Sequence, residues 1–233
     1  MDWQTRKEYL KQFPVEIPYE AFNRYADILL DWNERMNLTR ITDSDQMMDK
    51  HFIDSLTPTL LDHYEGTGKI LDLGTGAGFP GMVLAMISPK REVHLMDSLN
   101  KRITFLDYVV DELALSNVRT FHARAEEAGR DAKFREQYQV VLSRAVARLP
   151  ILAEYCLPFV HEGGCFIAMK GSEGVEEVKE AARAFDILGG KIDKVVDLHL
   201  PGGDERHLIV VKKVKATPEK YPRGSGKPRK DPL

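Results

Sequence analysis

The stretch KILDLGTGAGFPGMVLAM, residues 69–86, decides the fold. A short apolar strand (Ile70, Leu71, Leu73) runs into the loop Gly74, Thr75, Gly76, Ala77, Gly78 and then into a helical segment. Glycines at this spacing let the backbone adopt positive φ and approach a ligand with no Cβ in the way. The loop amides, beside the positive end of the next helix, favour a polar or anionic group. Pro80 stands near the helix start, where a missing N–H costs nothing. An acid, Asp97, follows about twenty residues on, the spacing at which a carboxylate meets the ribose of a bound nucleotide.

Working outward, the chain from Lys69 alternates strands and helices, as an α/β domain with a mainly parallel sheet does. Strands are expected at Ile70–Leu73, Glu92–Met96, Val118–His122, Tyr138–Leu142, Cys165–Met169, Lys191–Leu200 and Leu208–Val214. The last two are separated only by Pro201 to Arg206, too short for a crossover, so they pair as an antiparallel hairpin. A six-stranded parallel sheet suits a dinucleotide dehydrogenase. A seventh strand entering antiparallel resembles instead the class I, Rossmann-like methyltransferase arrangement. Residues 66–214 are thus the expected core, 1–65 a helical extension and 215–233 a basic tail.

In the extension, Phe22, Tyr25, Leu29, Trp32 and Met36 recur at three and four, which marks the buried face of a helix over Tyr19–Met36. Asp43 or Ser44 is placed to cap a second helix through His51 and Ser55, which Pro58 disturbs. His51 reads as a structural histidine. The tail carries Pro218, Pro222, Pro228 and Pro232 among Lys220, Arg223, Lys227, Arg229 and Lys230, so it forms no helix or strand alone and is either a solvated end or a basic arm for phosphates.

With 43% hydrophobic and 30% charged residues, the chain has the composition of a soluble globular protein, and its net charge of −3 confines any nucleic-acid surface to a local patch. No apolar run approaches the roughly 20 residues needed to cross a bilayer, and the start of the chain (Asp2, Arg6, Lys7, Glu8) lacks an apolar signal core. A cytoplasmic location is expected. Cys156 and Cys165 stand in apolar surroundings without clustered histidines, so they read as buried thiols, and neither a disulfide nor a metal site is expected.

Ligands of open α/β sheets bind beyond the carboxyl ends of the strands. Those ends carry the glycine loop, Asp97, then Ala125 and Glu126, then Ser143 and Arg144, then Lys170, with Phe79 as an apolar wall. Together they point to a nucleoside-containing ligand. Nicotinamide dinucleotide is the rival, because Gly76, Gly78 and Gly81 spell GxGxxG. Asp72 before the loop, the closing hairpin and the lack of a second domain favour S-adenosylmethionine.

The segments LDLGTGAGFPG (71–81), DSLNKR (97–102), SRAVA (143–147) and MKG (169–171) resemble those of the bacterial 16S ribosomal RNA 7-methylguanosine methyltransferases, the glucose-inhibited division protein B family. WNERMNLTRI (32–41), KHFIDSL (50–56) and the tail YPRGSGKPRKDPL extend the likeness over nearly the whole chain. The resemblance implies methylation of ring nitrogen 7 of a guanine in the decoding region of 16S rRNA, with the RNA or the small subunit as partner. It implies cofactor contacts at Gly74, Phe79, Ala125, Glu126 and Arg144, which join Gly76, Gly78 and Asp97 read from the loop and strand end, and an RNA-facing set of Lys101, Arg102, Arg148 and Lys170, to which the basic tail adds Arg223, Lys227 and Arg229.

No catalytic residue is expected. Neither cysteine lies in the Pro-Cys or Thr-Cys setting of pyrimidine-carbon methyltransferases, and Ser-Arg-Ala-Val replaces the Asn/Asp-Pro-Pro-Tyr/Phe element of exocyclic-amine enzymes. Guanine nitrogen 7 already bears an in-plane lone pair, so orientation suffices. A small-molecule methyltransferase has little use for the basic tail, and a non-enzymatic RNA binder has none for the loop, Asp97 and Arg144 held in register.

Overall fold

The computed structural model describes residues 3–233. Helix α1 (Trp3–Leu10) and the long α2 (Tyr19–Met36) precede a bent segment built of α3 (Ser44–Met47), a π-helical turn over Met48–Ile53 and α4 (Asp54–Leu56). The core alternates β1 (Ile70–Leu73), α5 (Gly81–Ile87), β2 (Val93–Asp97), α6 (Asn100–Glu112), β3 (Val118–His122), α7 (Ala125–Ala128) and β4 (Tyr138–Arg144). It continues through α8 (Leu149–Cys156), β5 (Val160–Lys170), α9 (Gly174–Leu188), β6 (Gly190–His199) and β7 (Glu205–Lys213), and α10 (Lys227–Lys230) closes the order.

The seven strands form one sheet in the order β3-β2-β1-β4-β5-β7-β6, in which only β7 runs antiparallel to its neighbours. Every expected strand is present, with ends shifted by a few residues. The largest shift is at β5, which starts at Val160 and passes through Gly163, at φ 85°, before the expected Cys165. Strand order reverses between β1 and β4, which opens a crevice at their carboxyl ends.

Successive residues of a strand point to opposite faces, and here both faces are covered. Ile70, Val93, Leu95, Val140 and Ile167 bury one face against α2, the bent segment, α5 and α6 through Phe22, Tyr25, Phe52, Val83 and Leu106. Leu71, Met96, Val141, Phe166 and Ile209 bury the other against α8 and α9 through Leu152, Ala153, Ala184 and Phe185. The N-terminal helices therefore share one apolar core with the sheet. Both cysteines are free and buried, and burial pushes the Cys165 thiol up to about 12. Among the described residues, no helix is long and apolar enough to cross a membrane.

Three local features position the crevice. Asn37 ends α2 in the left-handed region at φ 50°, and the Asn33 side chain accepts the Thr39 amide at 2.8 Å, turning the chain so that Thr39 faces the bent segment. Asp43 caps α3 through the Gln46 amide. The expected single helix through His51 instead widens into the π turn, a distortion of the kind found at functional sites.

The tail is not the solvated end that its composition allows. It is docked on the core: Arg135 donates to the carbonyls of Thr217 and Tyr221, Arg130 to that of Pro222, and Tyr221 is buried. Arg223 sits on Glu154, a carboxylate with 0% exposure, at 2.7 Å from Nη2 and 2.9 Å from Nε. Prolines do not prevent this, because side chains from α7–β4 satisfy the tail carbonyls that no ladder takes up.

Candidate functional site

The glycine loop is held from below by Asp72. Its carboxylate, wholly buried, accepts the Thr75 hydroxyl and the Gly81 amide, each at 2.7 Å on Oδ2, while Oδ1 has no partner. Burial raises its pKa to about 6, so it is ionised at neutral pH. The anion expected at the start of α5 is thus one of the protein's own residues. Gly76 stands at φ +62° with open space where a Cβ would be, so the loop crest lies bare to the cavity. Gly78 differs. A Cβ there would run into the Tyr25 hydroxyl, Leu106 and Met82, so packing dictates this glycine, and it does not line the cavity as the sequence led us to expect.

Above the loop opens a cavity of about 640 Å³. Seven of the eight residues assigned to the cofactor line it: Gly74, Gly76, Phe79, Asp97, Ala125, Glu126 and Arg144. Asp97, 3% exposed, accepts the Gly76 amide at 3.0 Å, the Leu99 amide at 2.9 Å and Arg102 Nη1 at 3.0 Å. It therefore fixes the loop as well as facing the cavity. Phe79 stacks on Tyr25 at 5.2 Å and on His51 at 4.6 Å between ring centroids, and the Tyr25 hydroxyl donates to the Ala77 carbonyl. The helical extension thereby supplies part of the wall.

His51 is bound at Nε2 to the Thr39 hydroxyl at 2.8 Å, but Nδ1 has no partner. Burial, reinforced by the Arg144 charge, lowers its pKa to about 4 and keeps it neutral. It also reaches a second cavity of about 370 Å³, which shares His51, Arg144 and Ala145 with the first. Ala145 takes a left-handed backbone at φ 56°, an uncommon state for a residue with a Cβ, as the chain turns out of β4.

The residues assigned to an RNA surface divide between the two cavities and the exterior. Arg102 pairs with Asp97 and Arg229 reaches the cavity from α10, so both line the first cavity. Lys170 is largely covered, with Nζ 2.8 Å from Glu177 and 3.1 Å from the Ala147 carbonyl, beside the second cavity. Arg223 is committed to Glu154. Lys101, bound to the Met36 carbonyl, Arg148, paired with Glu180, and Lys227 remain exposed outside both cavities.

Sequence reasoning missed the clasp behind Arg144. Asp54, 1% exposed, accepts Arg144 Nη1 at 2.8 Å on one oxygen and Arg206 Nε at 3.0 Å on the other. Asp54 lies inside the KHFIDSL segment already singled out, but only the fold brings β7 beside it.

A doubly wound sheet closed by an antiparallel β7, with its cavity at the strand switch and a carboxylate beneath the glycine loop, defines the class I methyltransferases. Among solved structures, the chain is similar in fold to a 16S rRNA (adenine(1408)-N(1))-methyltransferase from Catenulisporales acidiphilia (TM-score 0.53, 13% identity, 67% of this chain and 89% of that one). It is also similar to a SAM-dependent O-methyltransferase from Thermotoga maritima (TM-score 0.52, 15% identity, 82% and 73%). The family model GidB, rRNA small subunit methyltransferase G, matches residues 18–209. The chain is 50% identical over 217 residues to the ribosomal RNA small subunit methyltransferase G of Acetivibrio thermocellus, covering 92% of this chain and 88% of the relative. It is 51% identical to that of Lachnoclostridium phytofermentans, over 92% and 89%. The chain belongs to the GidB family, and with it to the S-adenosylmethionine-dependent methyltransferases.

Proposed function

We propose that this chain methylates ring nitrogen 7 of a guanine in the decoding region of 16S rRNA, in the cytoplasm, on the RNA or the small subunit. The observation that carries the cofactor reading is the Asp72 carboxylate under the loop. A pyrophosphate needs the free amides and positive end of a helix at this point. Here an internal carboxylate has taken the Gly81 amide, which leaves a loop suited to a cationic sulfonium and unsuited to a dinucleotide phosphate.

The residues present fit that cofactor. Asp97 would accept ribose hydroxyls and Phe79 would supply an apolar wall, and Gly76, Ala125, Glu126 and Arg144, which line the same cavity, would complete the enclosure. The cofactor supplies an electrophilic methyl group. What the protein adds is orientation, from which about 7 to 11 kcal/mol of a barrier is available. Arg144, with Nη1 bound to Asp54 and to the Lys50 carbonyl, is a fixed cation at the junction of the two cavities and orients what lies there. No proton need leave the acceptor. The groups at hand agree with this: His51 is a weak base with a pKa of about 4, and burial raises both cysteine thiols above their usual range.

Tritiated methyl transfer into naked 16S rRNA, small subunits and a metabolite extract, followed by mapping of the methylated base, tests this function. Label in 7-methylguanosine of 16S rRNA is expected. Label confined to the extract, or to another base or position of the RNA, would refute it.

A further inference from the structure

We propose that the second cavity binds a backbone phosphate adjoining the acceptor nucleotide, held chiefly by Lys50 and Arg206. This rests on the RNA methyltransferase reading above. The cavity lies at the carboxyl ends of β4 and β5 and the start of β7, and shares His51, Arg144 and Ala145 with the cofactor cavity. Two reactants therefore have two adjoining chambers, with Arg144 between them.

The second chamber is built for an anion. Its wall carries Lys50, Arg144, Lys170 and Arg206 with Asp54, while Glu177 pairs with Lys170 and Asp204 with Lys50. Asp54 is a bracket: one oxygen holds Arg144 Nη1 at 2.8 Å and the other holds Arg206 Nε at 3.0 Å. Arg206 also donates Nη1 to the Glu205 carbonyl, and Arg144 donates Nη1 to the Lys50 carbonyl. Among the described residues, neither guanidinium spends Nη2 on a protein hydrogen bond. Two rigid forks are thus aligned on one buried acid with a donor edge left over on each, and Lys50 adds an ammonium 3.2 Å from Asp204 at the rim.

Guanidinium and ammonium groups donate and never accept. Their natural partner is a group made only of acceptors, and a phosphodiester has this form, with a geometry that matches the guanidinium fork. Ile41 and Met169 supply apolar wall beside it. A carboxylate shared by two arginines leaves one positive charge in excess, and that charge faces a chamber open to solvent rather than a buried partner.

The test compares wild type with Lys50→Gln, Arg206→Gln, Arg206→Lys and the double variant Lys50→Gln/Arg206→Gln. It measures single-turnover methylation of 16S rRNA across a salt series, with cofactor affinity by calorimetry and thermal melts as a check on folding. The two glutamine variants are expected to raise the KM for RNA about tenfold or more, with kcat and cofactor affinity close to wild type. Because both residues hold the same phosphate, the double variant should flatten the plot of log affinity against log salt by about 0.7, the contribution of a single phosphate on a single strand. Arg206→Lys keeps the charge and should keep the slope while weakening KM. If Arg206→Gln melts early, Lys50→Gln and Arg206→Lys carry the test. Unchanged KM and slope in correctly folded variants would overturn the proposal. So would a loss confined to kcat, which would place the reacting base in this chamber instead. A wild-type chain that does not methylate rRNA would instead defeat the functional reading itself.

Discussion

Two groups at the site, Asp72 buried and His51 half-buried, should give the stability of this protein opposite dependences on acid. Burial lowers His51 from 6.5 to about 4, so between those values the unfolded chain holds a proton that the folded one lacks. Stability from this group is complete above about pH 6.5 and is lost as pH falls toward 4. Burial raises Asp72 from 3.8 to about 6, so over that interval the folded chain holds the extra proton. Its contribution is complete below about pH 4 and is lost as pH rises through 6. Each slope is about 1.4 kcal/mol per pH unit, and over the shared window of roughly two units the terms are on the order of 3 kcal/mol and nearly cancel. His51→Gln should remove one arm. The difference in unfolding free energy between wild type and variant, from urea titrations at several pH values, should then change by about 2 to 3 kcal/mol between pH 6.5 and 4.5, the variant gaining relative to wild type as acid is added. Asp72→Asn should tilt the difference the other way. Taking differences removes the common background of other carboxylates. A wild-type minus His51→Gln difference that stays constant across this range would refute the account of a histidine held neutral by burial.

The remaining predictions concern ligand, clasp and rate. Gly76→Val puts a branched side chain at φ +62° into open cavity, so calorimetry should show cofactor binding lost while far-ultraviolet circular dichroism is retained; unchanged affinity would remove the loop from the site. Arg223→Ala strips the fully buried Glu154 of its guanidinium and leaves it only the amide of residue 223, and urea unfolding should show a loss of about 3 kcal/mol, with weaker cofactor binding because Arg229 leaves the cavity wall. The single-turnover rate should be nearly flat between about pH 6 and 9, and His51→Ala should cost well under the 10²- to 10⁴-fold typical of a lost general base; a unit-slope rise that disappears in that variant would show that a proton must leave.

The sheet was legible because its signals are local: alternation marks strands, the short Pro201–Arg206 link forces a hairpin, and glycine spacing marks the loop. Residues at the strand ends followed from topology, which is why Asp97, Glu126 and Arg144 face one cavity. Pairings between distant segments were not legible. Nothing in composition says that Arg223 meets Glu154, sixty-nine positions away, or that Asp54 joins Arg206, and a basic proline-rich tail looks solvated until its buried partner is known. Gly78 misled for the opposite reason. A glycine required for packing on Tyr25 has the same letter and spacing as one required by a ligand.

The docked tail has a consequence for truncation. Arg229, which helps wall the first cavity, lies beyond all seven strands, and its placement depends on the clasp at Arg223. A chain that ends between β7 and Arg223 keeps all seven strands but lacks this wall. An intact sheet is thus not by itself a complete cofactor site.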